Sequence, residues 1–320
     1  MTNMEKIRLC QELVDQIQAE SRRPVCRLHL SREPFGVADS HLGGVPYVPR
    51  GGQIPTDEDG SQLWLCAQIN FAQMPRMEGF PESGILQIFL EDWHFGDFGL
   101  EEGPGMAQDY WRVVYHPEID GSVTLEECEA KMVIPWAEAK RSHMPRPANK
   151  FDLEDIEQGQ DYLWRCPEVP IKVNFLPVEQ EGVNDEDFRF EQLFAAALEA
   201  RLPGADPSGF MPYRLRDETS EEWEALQKIY KQIKGGGCKL GGYPSYLQDD
   251  PRSYDEDGEE GWTECDTLLL QLYDDTWDYP QDDIEGMDLN LNGGPINFVI
   301  RAEDLKNRDF SRVLAQWACT

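Results

Sequence analysis

Four aspartates stand in two DxDG patterns, Asp57-Glu58-Asp59-Gly60 and Asp255-Glu256-Asp257-Gly258. Oxygen ligands gathered before a glycine are what a hard cation such as calcium takes. The register tells against it. With Gly258 in the invariant glycine place, Glu264 falls where the bidentate glutamate belongs, but Ser253 falls where the first aspartate belongs. In the first copy Pro55 and Cys66 occupy those two places. Asp-Gly therefore reads as the turn that opens the next strand. The histidines, His29, His41, His94, His116 and His143, all lie in the first half and form no HxxxH or HExxH spacing. The eight cysteines are scattered and form no CxxC pair, so they read as reduced core thiols. There is no GxSxG elbow, no phosphate-cradling GxxxxGK[ST] and no dinucleotide GxGxxG. We expect no metal and no cofactor, we assign no catalytic residue, and the balance leans away from an enzyme.

The chain carries a net charge of −32, and the segment 249–288 supplies sixteen acidic residues against one basic residue, Arg252. Large aromatics are interleaved with those acids. The expected partner-binding set is Tyr254, Asp255, Glu256, Asp257, Glu259, Glu260, Trp262, Asp274, Asp275, Trp277 and Asp278. Carboxylates steer and pair with Arg or Lys, while aromatics supply buried area, so the set suits a basic protein partner. A solvated acidic loop is the plain alternative. Nucleic acid and anionic membranes are disfavoured as partners, because both need clustered cations on the protein.

These residues need elements to position them, and the chain announces elements plainly. At 320 residues with 40% apolar side chains it can bury a large core. Residues 4–19 place Cys10, Leu13, Val14 and Ile17 at helical spacing behind Thr2 and Asn3. Charges at Glu5, Lys6, Arg8, Glu12 and Asp15 break any signal-peptide apolar run, so a cytoplasmic location is expected. Short apolar runs between Gly and Pro predict strands over 25–30, 63–69, 85–90, 111–115, 131–134, 171–175, 267–273, 296–301 and 312–317. A central pair of helices is predicted over 185–201 and from Thr219, whose Glu222 three residues on suggests a capping box, to Gly235.

The sequence also matches itself. Leu42-Gly43-Gly44-Val45-Pro46 returns as Leu240-Gly241-Gly242-Tyr243-Pro244, 198 residues on, and the DEDG tetrapeptides keep the same offset. Each is followed by an apolar strand with an embedded glutamine, Gln68 or Gln271, and then by a strand after a glycine, residues 84–90 or 294–300. Gly43, Gly44, Pro46, Gly241, Gly242 and Pro244 form the structural motif, the glycines permitting positive φ and the prolines fixing the exit. The expected fold is α+β and strand-rich, an internal duplication of a mainly antiparallel β unit. Its parts are an N-terminal helix (1–22), a first repeat (23–182), a helical connector (183–236) and a second repeat (237–320). A cleft between repeats would draw on His41, Gln68, Gln248 and Gln271.

The ordered combination resembles the YwqG-like family, a bacterial family of unknown function. The likeness rests on the GGxP turns, on Leu65-Cys66-Ala67-Gln68-Ile69-Asn70, on Gln248 after the second turn, and on Asp304-Leu305 and Asp309-Phe310-Ser311 beyond the strand at Phe298. It runs from about Val37 to Trp317. Where the family shows a Trp-Gly-Asp type of segment, this chain has Leu291-Asn292-Gly293-Gly294, which weakens any chemistry hung on that aspartate. The resemblance implies a duplicated α+β protein and brings no reaction with it. The leading expectation is a non-enzymatic interaction protein with a basic partner, in the manner of an immunity protein or antitoxin. The alternative is a small-molecule binder or hydrolase with its site between the repeats.

Overall fold

The computed structural model of the chain describes residues 1–91, 100, 105–133, 170–215, 220–248, 250–253, 261–273, 289, 291 and 294–317. Eleven strands are formed among them: β1 (Arg23–Ser31), β2 (His41–Leu42), β3 (Trp64–Asn70), β4 (Ile85–Leu90), β5 (Trp111–His116), β6 (Ile171–Phe175), β7 (Glu179–Glu181), β8 (Lys239–Gly241), β9 (Thr267–Leu272), β10 (Ile296–Ile300) and β11 (Val313–Trp317). They run in the order β11-β10-β9-β8-β1-β6-β2-β3-β4-β5, with β7 beside β1, and every ladder is antiparallel. A bridge from Gly105 to Ala315 brings the segment before β5 against the far end of that order, so the sheet curls toward a barrel. The fold is α+β and strand-rich, as the texture of the sequence predicts.

Strands β3, β4, β9 and β10 are buried almost throughout, so they read as continuous apolar runs rather than alternating ones. One large core joins both ends of the strand order, and in it Trp111 of β5 packs on Phe298 of β10 and Tyr115 packs on Phe310. Apolar burial across the seam between the first and last strands ties the two halves together.

Five helices are described: α1 (Asn3–Glu20), α2 (Leu125–Glu129), α3 (Arg189–Arg201), α4 (Glu221–Lys231) and α5 (Ala302–Asn307). Helix α1 starts at a capping box between Thr2 and Glu5 and buries Cys10, Leu13, Val14 and Ile17. That face packs against α3 and α4 in a single apolar cluster with Phe190, Phe194, Leu198, Leu226 and Tyr230, so the opening helix and the central pair form one layer. Among the described residues no helix is long and apolar enough to cross a membrane.

Two local readings need correction. Ser220 caps α4, its hydroxyl accepting the Trp223 N–H, where the sequence reading placed the cap at Thr219, outside the described residues. Residues 131–133 form no strand. A second capping box, Thr124 with Glu127, nucleates α2 just upstream, and the Gln62 amide then ties down Lys131 and Val133 in the turn that follows. The first DEDG makes the expected turn: Asp57 Oδ1 accepts the Ser61 N–H at 2.7 Å and Gly60 has φ 86°. The second DEDG lies outside the described residues.

The glycine pairs carry the tightest backbone. Gly241 has φ 71°, and a Cβ placed there would lie 2.5 Å from the Pro24 carbonyl oxygen on β1. Gly60 also has positive φ but open space around it. Substitution by alanine should therefore cost about 1 kcal/mol at Gly60, from left-handed strain alone, and roughly 3 kcal/mol or more at Gly241, where backbone must move as well. Urea unfolding of Gly60→Ala and Gly241→Ala measures the difference.

Candidate functional site

Each glycine turn hangs on one buried glutamine. In the first half, Gln68 on β3 donates both amide protons, to the carbonyls of Val37 and Asp39 at 2.8 Å each, and its Oε1 accepts the Tyr47 N–H at 2.8 Å. Opposite it on β4, Gln87 donates to the Tyr47 carbonyl at 2.8 Å. In the second half, Gln271 on β9 donates to the carbonyls of Gly235 and Gly237 at 3.0 and 2.8 Å, and accepts the Ser245 N–H at 2.7 Å. Opposite it on β10, Asn297 donates to the Ser245 carbonyl at 2.8 Å. Val37, Asp39, Gly43, Gly44 and Tyr47 are each 198 residues before Gly235, Gly237, Gly241, Gly242 and Ser245. The glycines match too, with φ 63° and 81° in the first turn and 71° and 67° in the second.

Of the four expected cleft residues, His41 and Gln68 face each other across β2 and β3. Gln271 is separated from them in the strand order by β8, β1, β6 and β2, and Gln248 is exposed beyond the second turn. Both amide protons of Gln68 and of Gln271 are spent on backbone carbonyls, so these side chains hold turns and have no donor to offer a ligand. Gln87 and Asn297 complete the arrangement, and the sequence assigns them no role beyond membership of the matched strands 84–90 and 294–300. Their signal was a polar residue inside an otherwise apolar strand.

The residue across from each glutamine differs between halves. His41 is fully buried, stacks on Phe35 with ring centres 4.6 Å apart, and donates from Nδ1 to the Gly43 carbonyl at 2.7 Å. Its counterpart is Lys239, equally buried, which donates to both Glu181 oxygens at 3.0 and 2.9 Å. Burial pulls the lysine below its ordinary value, and the Glu181 carboxylate opposes that pull. Glu181 also accepts from Arg27 and from the Tyr243 N–H, so one carboxylate fastens β1, β7, β8 and the turn.

A second charged cluster lies behind that turn. Arg252 is fully buried, donates to Asp250 at 2.6 and 2.9 Å and to Asp187 at 2.7 Å, and lies against the rings of Phe188 and Tyr246. Arg189 donates to the other side of Asp187, twice at 2.6 Å. Burial pushes the Asp187 carboxyl up, but the two guanidiniums outweigh it and hold it below the usual range. Of the expected partner-binding residues, Trp262 is half-buried against Cys265, Leu268, Val299 and Leu314. The other ten lie outside the described residues. Among the described residues no three His, Cys, Asp or Glu side chains converge to hold a metal ion.

The seam between the halves holds a cavity of about 640 Å³, between β5 and the loop that joins α5 to β11, lined by Arg112, Tyr115, Arg308 and Phe310 among others. None of the four expected cleft residues lines it.

The His41 site makes a pH prediction. Burial lowers its pKa to about 4 from the ordinary 6.5, so the unfolded chain takes up a proton before the folded one does. This contribution to stability is full above pH 6.5 and is lost as pH falls toward 4. Between pH 7.5 and 4.5 the wild type should lose roughly 2 kcal/mol more than His41→Asn, measured by urea unfolding at both values.

No curated protein matches the chain. The model of a domain of unknown function, DUF1963, matches residues 40–319, beginning beside the first glycine turn and ending past β11. The match takes in both glutamine sites, the Arg252 cluster and the seam cavity, and the chain belongs to that family.

Proposed function

We propose that this is a non-enzymatic interaction protein that binds a basic protein partner on its acidic second-half surface, with an immunity- or antitoxin-like role as the concrete form. The observation that carries the reading is the placement of Arg252. It is the single cation in the acidic segment 249–288, and it is buried between Asp187 and Asp250. Its charge is spent on Asp187 and Asp250, so the other fifteen acids of the segment have no cation within it. Lys239, Arg27 and Arg189 are likewise drawn into inward ion pairs. These pairs nearly cancel, so the net charge of −32 is carried by the rest of the chain, and a field of that sign speeds association with a cationic surface.

The frame for that surface is, in this reading, a duplicated β unit of the YwqG-like kind. Support comes from the matched glutamine sites, the common offset of 198 residues, and the equivalent pairings of Gln68 with Gln87 and Gln271 with Asn297. The reading places the protein in the cytoplasm. The six described cysteines are free and buried, and burial pushes the thiols of Cys10 and Cys265 up to about 12, which suits a reducing compartment.

The test uses the full chain and a variant with Asp255, Glu256, Asp257, Glu259 and Glu260 changed to their amides. Wild type should retain a basic protein from native lysate at low salt and release it as salt rises, and the variant should retain at least tenfold less. Equal retention by the two proteins would contradict the reading.

A second reading, a small-molecule binder or hydrolase with a site between the repeats, is favoured by the seam cavity. At about 640 Å³ it has the size of a small-ligand site and draws its lining from both halves.

A further inference from the structure

The arginines of this acidic chain are, as a rule, claimed by carboxylates. Arg50 pairs with Asp120 and Glu127, Arg189 with Asp187, Arg252 with Asp187 and Asp250, and Arg312 with Asp304. Among the described residues Arg22, Arg23, Arg112 and Arg308 depart from this, and the last two line the seam cavity. Among the described residues neither Arg112 nor Arg308 makes an ion pair, and Arg112 Nε is buried with no hydrogen-bond partner. A buried guanidinium N–H without an acceptor is costly to leave so, and among the described residues no carboxylate neutralises this one.

The backbone at Arg308 points the same way. Arg308 follows α5 in the left-handed conformation, φ 59°, and is the one non-glycine residue with positive φ among the described residues. Glycine is the usual occupant of this position after a helix, because it adopts that conformation without strain. Strain retained at a cavity mouth, where a simpler residue would remove it, is a mark of use.

The remaining wall is fixed and mostly apolar. The rings of Tyr115 and Phe310 lie 5.2 Å apart, tilted at 48°. The Tyr115 hydroxyl donates to the Ser83 carbonyl, Gln108 is spent on Val113 and Phe310, and the Ser311 hydroxyl donates to Asp309. The uncommitted charged groups are therefore the two guanidiniums. Paired forks suit a carboxylate or a phosphate, and aromatic faces suit a flat apolar group.

We propose that the seam cavity binds a small organic anion, a carboxylate or phosphate ester carrying a flat apolar group, with Arg112 and Arg308 taking the charge and Tyr115 and Phe310 the ring. The inference rests on the second reading above and is independent of the basic-partner reading. It makes Arg308 a residue kept for binding at the expense of stability.

Calorimetric titration of the full chain with benzoate, phenyl phosphate and uncharged benzyl alcohol tests it. At least one anion should bind ten-fold or more tightly than benzyl alcohol, and which one binds identifies the charged group. Arg308→Gly should lose that binding at least ten-fold while melting at the same temperature or higher, and Arg112→Gln should lose it too. Equal binding of benzyl alcohol and the anions would overturn the anion assignment and leave the cavity a ligand site. No binding by any of the three would overturn both. Unchanged anion affinity in Arg308→Gly would overturn the role of that residue.

Discussion

A buried primary amide fastened to three backbone groups is the interaction on which the rest of this protein depends. The glycine turns run inside the molecule, where water cannot satisfy their N–H and C=O groups. Gln68 and Gln271 each supply two donors and one acceptor at the point where the turn passes the strand. A hydroxyl has only one proton to donate and a carboxylate has none, so neither could make this set of contacts. The glycines follow from the same geometry. A backbone drawn close to β1 and Glu181 leaves no room for a side chain at Gly241 or Gly242.

With the turns fixed alike, the halves are free to differ in what they bury beside them. The first half places a neutral, ring-stacked His41 across from its glutamine, and the second places Lys239 with Glu181, backed by the Arg252 cluster. Buried ion pairs gain little net stability but are costly to break, so they hold an arrangement rather than strengthen it. Their further effect is electrostatic. The inward cations are matched by Glu181, Asp187 and Asp250, so the net charge of −32 lies on the rest of the chain, and the two unpaired arginines at the seam stand out against that field.

Much of the frame was legible because it rests on local rules. The apolar runs at 85–90 and 171–175 coincide with β4 and β6, and the spacing of Cys10, Leu13, Val14 and Ile17 marked the buried face of α1. The short helices α2 and α5 were missed, since five or six residues cannot show a helical period, although Thr124 and Glu127 spell a capping box. The seam cavity was illegible for a different reason. Arg112 and Arg308 are 196 positions apart, and only the return of β11 toward β5 brings them to one wall. The partners of Arg252 were hidden likewise, because Asp187 lies on the approach to α3, 65 residues upstream. Glutamines in apolar strands were visible from the start. Their role as turn clamps, rather than cleft donors, required the hydrogen bonds.

Native-state hydrogen exchange at the Tyr47 and Ser245 amides tests the clamp most directly, since these are the N–H groups that the two glutamine oxygens hold. If the glutamines fasten the turns, both amides exchange only through global unfolding, with a free energy equal to that from denaturant titration. Exchange of either amide at the rate of the exposed loops would contradict the account.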